Sequence, residues 1–290
     1  MNDRVDPTAW DVARPRSPGR TAGVDMAGFR VPGLLGEGLR LIPHPSVMLI
    51  LECGDGTSTV DDGTGRRQPG SLVAGPGFGV GGGVRAWGEH VECVQVRLSP
   101  VVAAAVLGVG PTELAGAMVT LDDLWGGEAA RVREELGRIP SWQGRFAHTE
   151  ALLTRRGASQ PPADPAVAWA WHRLVTDSGL VRVEDLATEL GWSRKRLWSR
   201  FTTHLGIPPK RAAKLIRFDR AVHRMVAGAP TARAAADGGY CDQSHLHRDI
   251  MEFTGTTPTT VVREPFLTVD ARAWPTGTAP ARRADSRRAW

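Results

Sequence analysis

The sequence predicts an α+β chain of two unlike halves: an amino-terminal β-rich domain with helices, then an all-α domain of two similar helical units joined by a long helix. Three observations predict it. Residues 30 to 98 alternate short apolar runs with glycine-rich turns, as in PSVMLILECGDG, GSLVAGPG and EHVECVQVRLSP. Beyond GASQPPADP (157–165) every segment has helical periodicity. Within that half, one pattern occurs twice, 49 residues apart.

Taken in order, residues 1–24 are rich in Pro, Arg and Asp without apolar periodicity, and they are expected to form a disordered tail. Residues 25–156 make the first domain. Alternation in VECVQVRL gives its strand one buried face. From Pro100 the pattern turns helical, through VVAAAVLG, DDLWGGEAARVREELGRI and FAHTEALLTRR. Residues 157–165 are the linker, 166–263 the second domain, and 264–290 a basic tail, also expected to be disordered.

In the repeat, Ser193, Leu197, Phe201, Gly206 and Pro209 are matched by Asp242, Leu246, Ile250, Gly255 and Pro258. Upstream, Ala187 and Gly191 are matched by Ala235 and Gly239. Each copy reads as a helix-turn-helix: glycine makes the turn, and Ser193 or Asp242 caps the second helix. Residues four and eight after the cap form the buried stripe. A glycine and then a proline end the helix. Leu215, Phe218, Val222, Met225 and Val226 recur at helical spacing in the connector, PPKRAAKLIRFDRAVHRMVAG. A rigid helix there sets the separation of the two second helices; about 34 Å would suit successive major grooves of B-DNA.

With those stripes buried, about 100° per residue turns Lys195 and Ser199, and Ser244 and Arg248, to the opposite face. Arg196, Trp198, His245 and His247 lie on the flanks. This donor-rich surface suits base edges and phosphates. Charge agrees: of a net +5, residues 182 to 263 carry 14 Lys/Arg against 8 Asp/Glu, while residues 1 to 181 carry 17 against 20.

The string GYCDQSHLHRD invites a metal or catalytic reading. On a helix His245 and His247 stand about 200° apart and do not share an ion. No nucleophile, base and orienter are grouped there. The pattern therefore predicts no enzyme, no catalytic residue, no metal site and no cofactor. Elsewhere, Gly77, Gly79 and Gly82 have GxGxxG spacing, but the following VRAWGEHVECVQVRL reads as strand, so a hairpin loop is expected rather than a dinucleotide site. His90 and Glu92 alternate on that strand and could face one cavity, without an HxH partner. Trp87 and Trp142 read as core or as pocket lining; of Trp169 and Trp171, one is expected to pack on the helices. Cys53, Cys93 and Cys241, odd in number and widely spaced, argue against a disulfide framework and for a reducing cytoplasm. SVMLIL and VVAAAVLGV fall well short of the roughly 18 residues that span a bilayer, and no signal peptide is evident.

LATELGWSRKRLWSRFTTHLGIPPKRAAKLIRF and GGYCDQSHLHRDIMEFTGTTP resemble the tandem helix-turn-helix domain of AraC/XylS-type transcriptional regulators. The resemblance covers about 166 to 263. It implies contacts to double-stranded DNA from Arg194, Lys195, Trp198 and Ser199, and from Gln243, Ser244, His245 and Arg248; Arg196 and His247 flank them. Trp198 departs from a usually small polar position, and ARAAADGG lacks the usual isoleucine. The segment from HPSVMLILE to VRLSPVVAAAVLGVGPTELAGAMVTLDDLWG resembles an amino-terminal domain found with one branch of these regulators. It implies a cupin-like sensory or dimerisation module. The expected function is transcription regulation in the cytoplasm, responsive to an unidentified small-molecule effector, with a second copy of the chain and RNA polymerase as further candidate partners. The alternative is a small-molecule-binding protein or enzyme of the cupin type with an accessory helical domain.

Overall fold

A computed structural model describes residues 7–275 except 18, 20, 54, 55, 57, 64, 80, 82 and 159–162, with backbone only for 32–37. After a 3-10 turn at Pro7–Ala9 come strands β1 (Asp11–Ala13), β2 (Val24–Arg40), β3 (Val47–Glu52), β4 (Ser58–Asp62), β5 (Arg67–Pro69), β6 (Leu72–Ala74) and β7 (Val84–Leu98). Helix α1 (Pro100–Leu107), strand β8 (Met118–Thr120) and helices α2 (Leu121–Trp125), α3 (Gly127–Arg138) and α4 (Trp142–Gly157) follow. All later elements are helices: α5 (Pro165–Thr176), α6 (Val183–Glu189), α7 (Arg194–Leu205), α8 (Pro209–Val226), α9 (Thr231–Asp237), α10 (Gln243–Thr254), α11 (Pro258–Val261) and α12 (Pro265–Ala273). This is the expected α+β architecture.

The sheet is antiparallel, ordered β1-β2-β7-β3-β6-β8, with β4 bridging β5 and β7. Strand β7 is its axis. β2 pairs along it, while β3 takes Cys93–Leu98 and β4 takes Val84–Gly88. One face, with Leu49, Leu51, Val94, Val96 and Leu98, packs on α1, α3 and α4 through Val106, Leu107, Leu136 and Phe146. Here Gly28 is required, because a Cβ would lie 2.4 Å from the Trp142 ring.

The second face is also covered, which corrects the one-faced reading of VECVQVRL. Gln95 and Arg97 sit at alternate positions and look solvent-facing in sequence, yet both are buried. The cover comes from Trp10, Phe78, Val269 and Ala273. Three of those, Trp10, Val269 and Ala273, lie in stretches expected to be disordered. β1 pairs with β2, and Trp10 meets Phe29 edge-on at 6.3 Å between ring centroids. Helix α12 buries Leu267, Val269, Asp270 and Ala273. Apolar residues at that spacing form a helical stripe once a partner surface exists. Residues 1–6 and 276–290 lie outside the described residues.

Three smaller expectations change. The helix expected over 122–139 breaks at Gly126, whose φ of 54° ends α2 before α3 begins. The stretch expected as linker is helical into Gly157 and again from Pro165; 159–162 lie outside the described residues. His90 has φ 53°, which disrupts alternation, and it is exposed, while Glu92 pairs with Arg145 and Arg30. They face no common cavity. Among the described residues, the element that follows Gly79 is β7 and not a helix, and Phe78 between the glycines is fully buried. Trp171 packs on Phe201 at 6.4 Å, and Trp169 is half-buried.

Candidate nucleic-acid interface

The second helices of the two repeats, α7 and α10, are built alike from their caps onward. Ser193 Oγ accepts from the Arg196 N–H at 3.2 Å, and Asp242 Oδ1 accepts from the His245 N–H at 2.7 Å. Such caps satisfy an otherwise orphaned amide. Leu197, Phe201 and Leu205 are buried in α7, and Leu246, Ile250 and Phe253 in α10. Each such side chain, removed from water, contributes about 2 kcal/mol. Gly206 (φ 72°) and Gly255 (φ 64°) close both helices in the left-handed conformation, their N–H groups reaching Thr202 and Met251 carbonyls. In front of them, Leu186 and Ala187 of α6 and Ala234 and Ala235 of α9 are the buried contacts.

Helix α8 joins the units with Leu215, Phe218, Val222 and Met225 buried; Phe218 and Phe253 rings lie 4.7 Å apart. A polar tie runs beside them. Lys214 Nζ lies 2.6 Å from Glu252 and 3.2 Å from Asp249. Asp249 therefore belongs to the joint between α8 and α10, not to the outward face on which its neighbours sit.

Arg194, Lys195, Arg196, Trp198 and Ser199 of α7 are exposed, as are Gln243, Ser244, His247 and Arg248 of α10. Trp198 keeps 54% of its surface in solvent, more than any other large apolar side chain described. His245 differs: it is half-buried, with its ring edge-on to Tyr240 at 5.1 Å. Local partners hold several of these donors loosely. Arg194 lies 3.5 Å from Glu184, the Arg196 guanidinium covers the Trp192 ring at 4.7 Å, and Arg248 Nε donates to the Ser244 carbonyl at 3.4 Å. Exposed pairings of this kind cost little to exchange for phosphate or base contacts.

The carboxy-terminal ends of both helices meet the sheet domain, a relation without a sequence signal. A Cβ on Gly206 would lie 2.1 Å from the Pro111 carbonyl oxygen. At α10, Gly81 N–H donates to the Glu252 carbonyl at 3.0 Å, and Arg40 Nη1 to the Thr254 carbonyl at 3.3 Å. Arg40 Nε also pairs with Glu264 at 3.0 Å. The glycine-rich loop is thus a docking surface. The amino-terminal halves of α7 and α10 point their donors elsewhere. Among the described residues no three His, Cys, Asp or Glu side chains converge as metal ligands, and no helix is long and apolar enough to cross a membrane.

Residues 186–264 match a family model described as a helix-turn-helix domain. The second half of the chain therefore carries a helix-turn-helix domain. A search of curated protein sequences finds no match. Among solved structures, the chain is similar to ToxT from Vibrio cholerae, at 10% identity over 83% of this chain and 98% of that one, with a TM-score of 0.46. ToxT with an unsaturated fatty acid bound is similar at 10% identity over 86% and 98%, with a TM-score of 0.47. The C-terminal domain of AraT, a response regulator from Geobacillus stearothermophilus, is similar at 21% identity over 35% and 86%, with a TM-score of 0.33.

Proposed function

We propose that the chain is an AraC-type transcriptional regulator that reads DNA with the first two turns of α7 and α10, laid in successive major grooves on one side of the duplex. Lys195, Ser199, Ser244 and Arg248 are the central donors. Arg194, Arg196, Trp198, Gln243 and His247 extend the surface toward flanking bases and phosphates, and His245 contributes through the edge that Tyr240 leaves open. The observation that carries this reading is the equivalence of the two helices: in both, residues four and eight after a capped start are buried, and residues two and six after it are solvent-exposed donors.

The functional units are residues 25–156 and 166–263, the first receiving a small-molecule signal and the second binding DNA. Contacts from the first unit to the ends of both reading helices support that division of labour, because a change in the first would be felt by both. The free thiols of Cys53, Cys93 and Cys241 suit the cytoplasm, where the DNA is.

The test is selection of bound fragments from genomic DNA by the full chain, followed by titration of the selected site. Removing a base-reading donor costs about 1–3 kcal/mol, roughly 5- to 150-fold in Kd, and relaxes preference at one position. Lys195→Ala with Arg248→Ala should therefore weaken binding and blur the site at two places one helical turn apart. Unchanged affinity and preference would show that another face reads DNA.

A further inference from the structure

Helix α12 follows the DNA-reading units in sequence but does not pack chiefly on them. It returns to the second face of the sheet, where it roofs an apolar cavity. Its lining includes Phe29 and Leu72 of the sheet, Phe78, and Phe266, Val269 and Asp270 of α12. The cavity holds about 100 Å³. Benzene needs about 150 Å³ and ordinary small-molecule sites about 300 Å³ or more. An occupant of ordinary size fits only if α12 lifts.

The roof is wired to the reading half. Asp270 is buried and bridges two cations at once: its Oδ1 takes Arg97 of β7, and its Oδ2 lies 2.7 Å from His223 Nε2 of α8. His223 Nδ1 is held by the Asp219 carbonyl at 2.8 Å, and the Asp219 carboxylate lies 3.6 Å from His44 of the sheet domain. Arg97 also stacks on Trp274 at 3.7 Å. Burial opposes charge on His223, but Asp219 and Asp270 outweigh it and hold its pKa up at about 9. Asp270, opposed by burial but paired with Arg97 and His223, is held down at about 2. The bridge is therefore ionic at neutral pH, and α12 cannot lift without parting from the helix that spaces α7 and α10.

We propose that α12 is the movable roof of a site for a neutral, largely apolar small molecule, and that its lifting reports occupancy to the DNA-reading helices by separating Asp270 from His223. The apolar walls select the ligand class. The closed state is the preorganised one, because α8 is then pinned to the sheet domain through Asp270 and Arg97, as α7 and α10 are held there at their ends. Lifting the roof loosens the spacing and weakens DNA binding. This rests on the reading of residues 25–156 as the part that receives the signal.

The experiment uses the full chain, the neutral fluorophore N-phenylnaphthylamine, and the DNA site selected above. Phe266→Ala thins the roof and Ala86→Leu fills the cavity; Val269→Ala replaces the first if it folds poorly, as judged by circular dichroism. Removing part of the closing cost should tighten probe binding about tenfold in Phe266→Ala, and filling should weaken it about tenfold. Saturating probe should weaken DNA binding of the wild type about fivefold. Asp270→Asn should bind DNA that much more weakly without probe and respond to it no further. Probe binding indifferent to Phe266→Ala, Val269→Ala and Ala86→Leu overturns the site under α12, leaving signal reception elsewhere in 25–156 intact. Probe binding that follows those substitutions but leaves DNA affinity unchanged overturns the coupling, and with it the signal-receiving role of this domain.

Discussion

Replacing Gly206 by alanine separates two costs that the structure places at one residue. Its φ of 72° lies in the left-handed region, where a side chain costs about 1–2 kcal/mol. Its Cβ would in addition lie 2.1 Å from the Pro111 carbonyl oxygen and 2.9 Å from the carbon, both backbone atoms of the sheet domain. Relief requires a shift of about 1 Å, which in packed surroundings costs about 1–3 kcal/mol. Gly206→Ala should then destabilise by roughly 2–5 kcal/mol. Gly191 is the internal control: its φ is 63°, and a Cβ there meets nothing within 4 Å, so Gly191→Ala should cost about 1–2 kcal/mol. The measurement is urea unfolding of the full-length variants, followed by tryptophan fluorescence and read at the first transition. If the two substitutions cost the same within about 0.5 kcal/mol, Pro111 does not sit against the end of α7 and the clamp on the reading helices is wrong.

Ser193→Ala and Asp242→Ala each remove a capping acceptor, and each should lower stability by about 1 kcal/mol in the same unfolding measurement, with Thr restoring most of the loss at 193. Lys195→Ala should flatten the dependence of DNA affinity on salt by about one unit of slope if it contacts a phosphate, and leave the slope unchanged if it reads only a base. The Asp270 bridge should weaken in alkali. His223 is raised from an ordinary 6.5 to about 9, so its contribution is complete below pH 6.5 and fades as pH rises through 9. Amide exchange in α12, corrected for intrinsic base catalysis, should accelerate across that window, and His223→Gln should remove the pH dependence.

The helical half was legible because its signals are local. Caps at Ser193 and Asp242, stripes at Leu197, Phe201, Leu246 and Ile250, and terminal glycines all lie within a dozen residues of one another and act on one helix each. Their repetition at a constant offset excluded coincidence. The exposed donors followed by subtraction, since a helix with one buried stripe has its other residues outside. His245 escaped that logic because Tyr240, three residues before the helix begins, folds back on its ring.

What stayed hidden depends on contacts between distant segments. Arg97 and Asp270 are 173 residues apart, and either one alone reads as an ordinary solvated charge. Alternation along β7 put Gln95 and Arg97 on a face that sequence assigns to water; the face is dry only because a helix from the far end of the chain lies over it. The same absence of a nearby partner made residues 265–273 read as tail. Charge at a buried position is the feature to look for in such cases. A strand that carries arginine among valines, and a terminal segment that carries aspartate among apolar residues, each lack a partner until they are paired with one another. That mutual need, rather than apolar area alone, selects where α12 docks: the apolar side chains Phe266, Leu267 and Val269 would suit many surfaces, but Asp270 accepts burial only where Arg97 and His223 meet it.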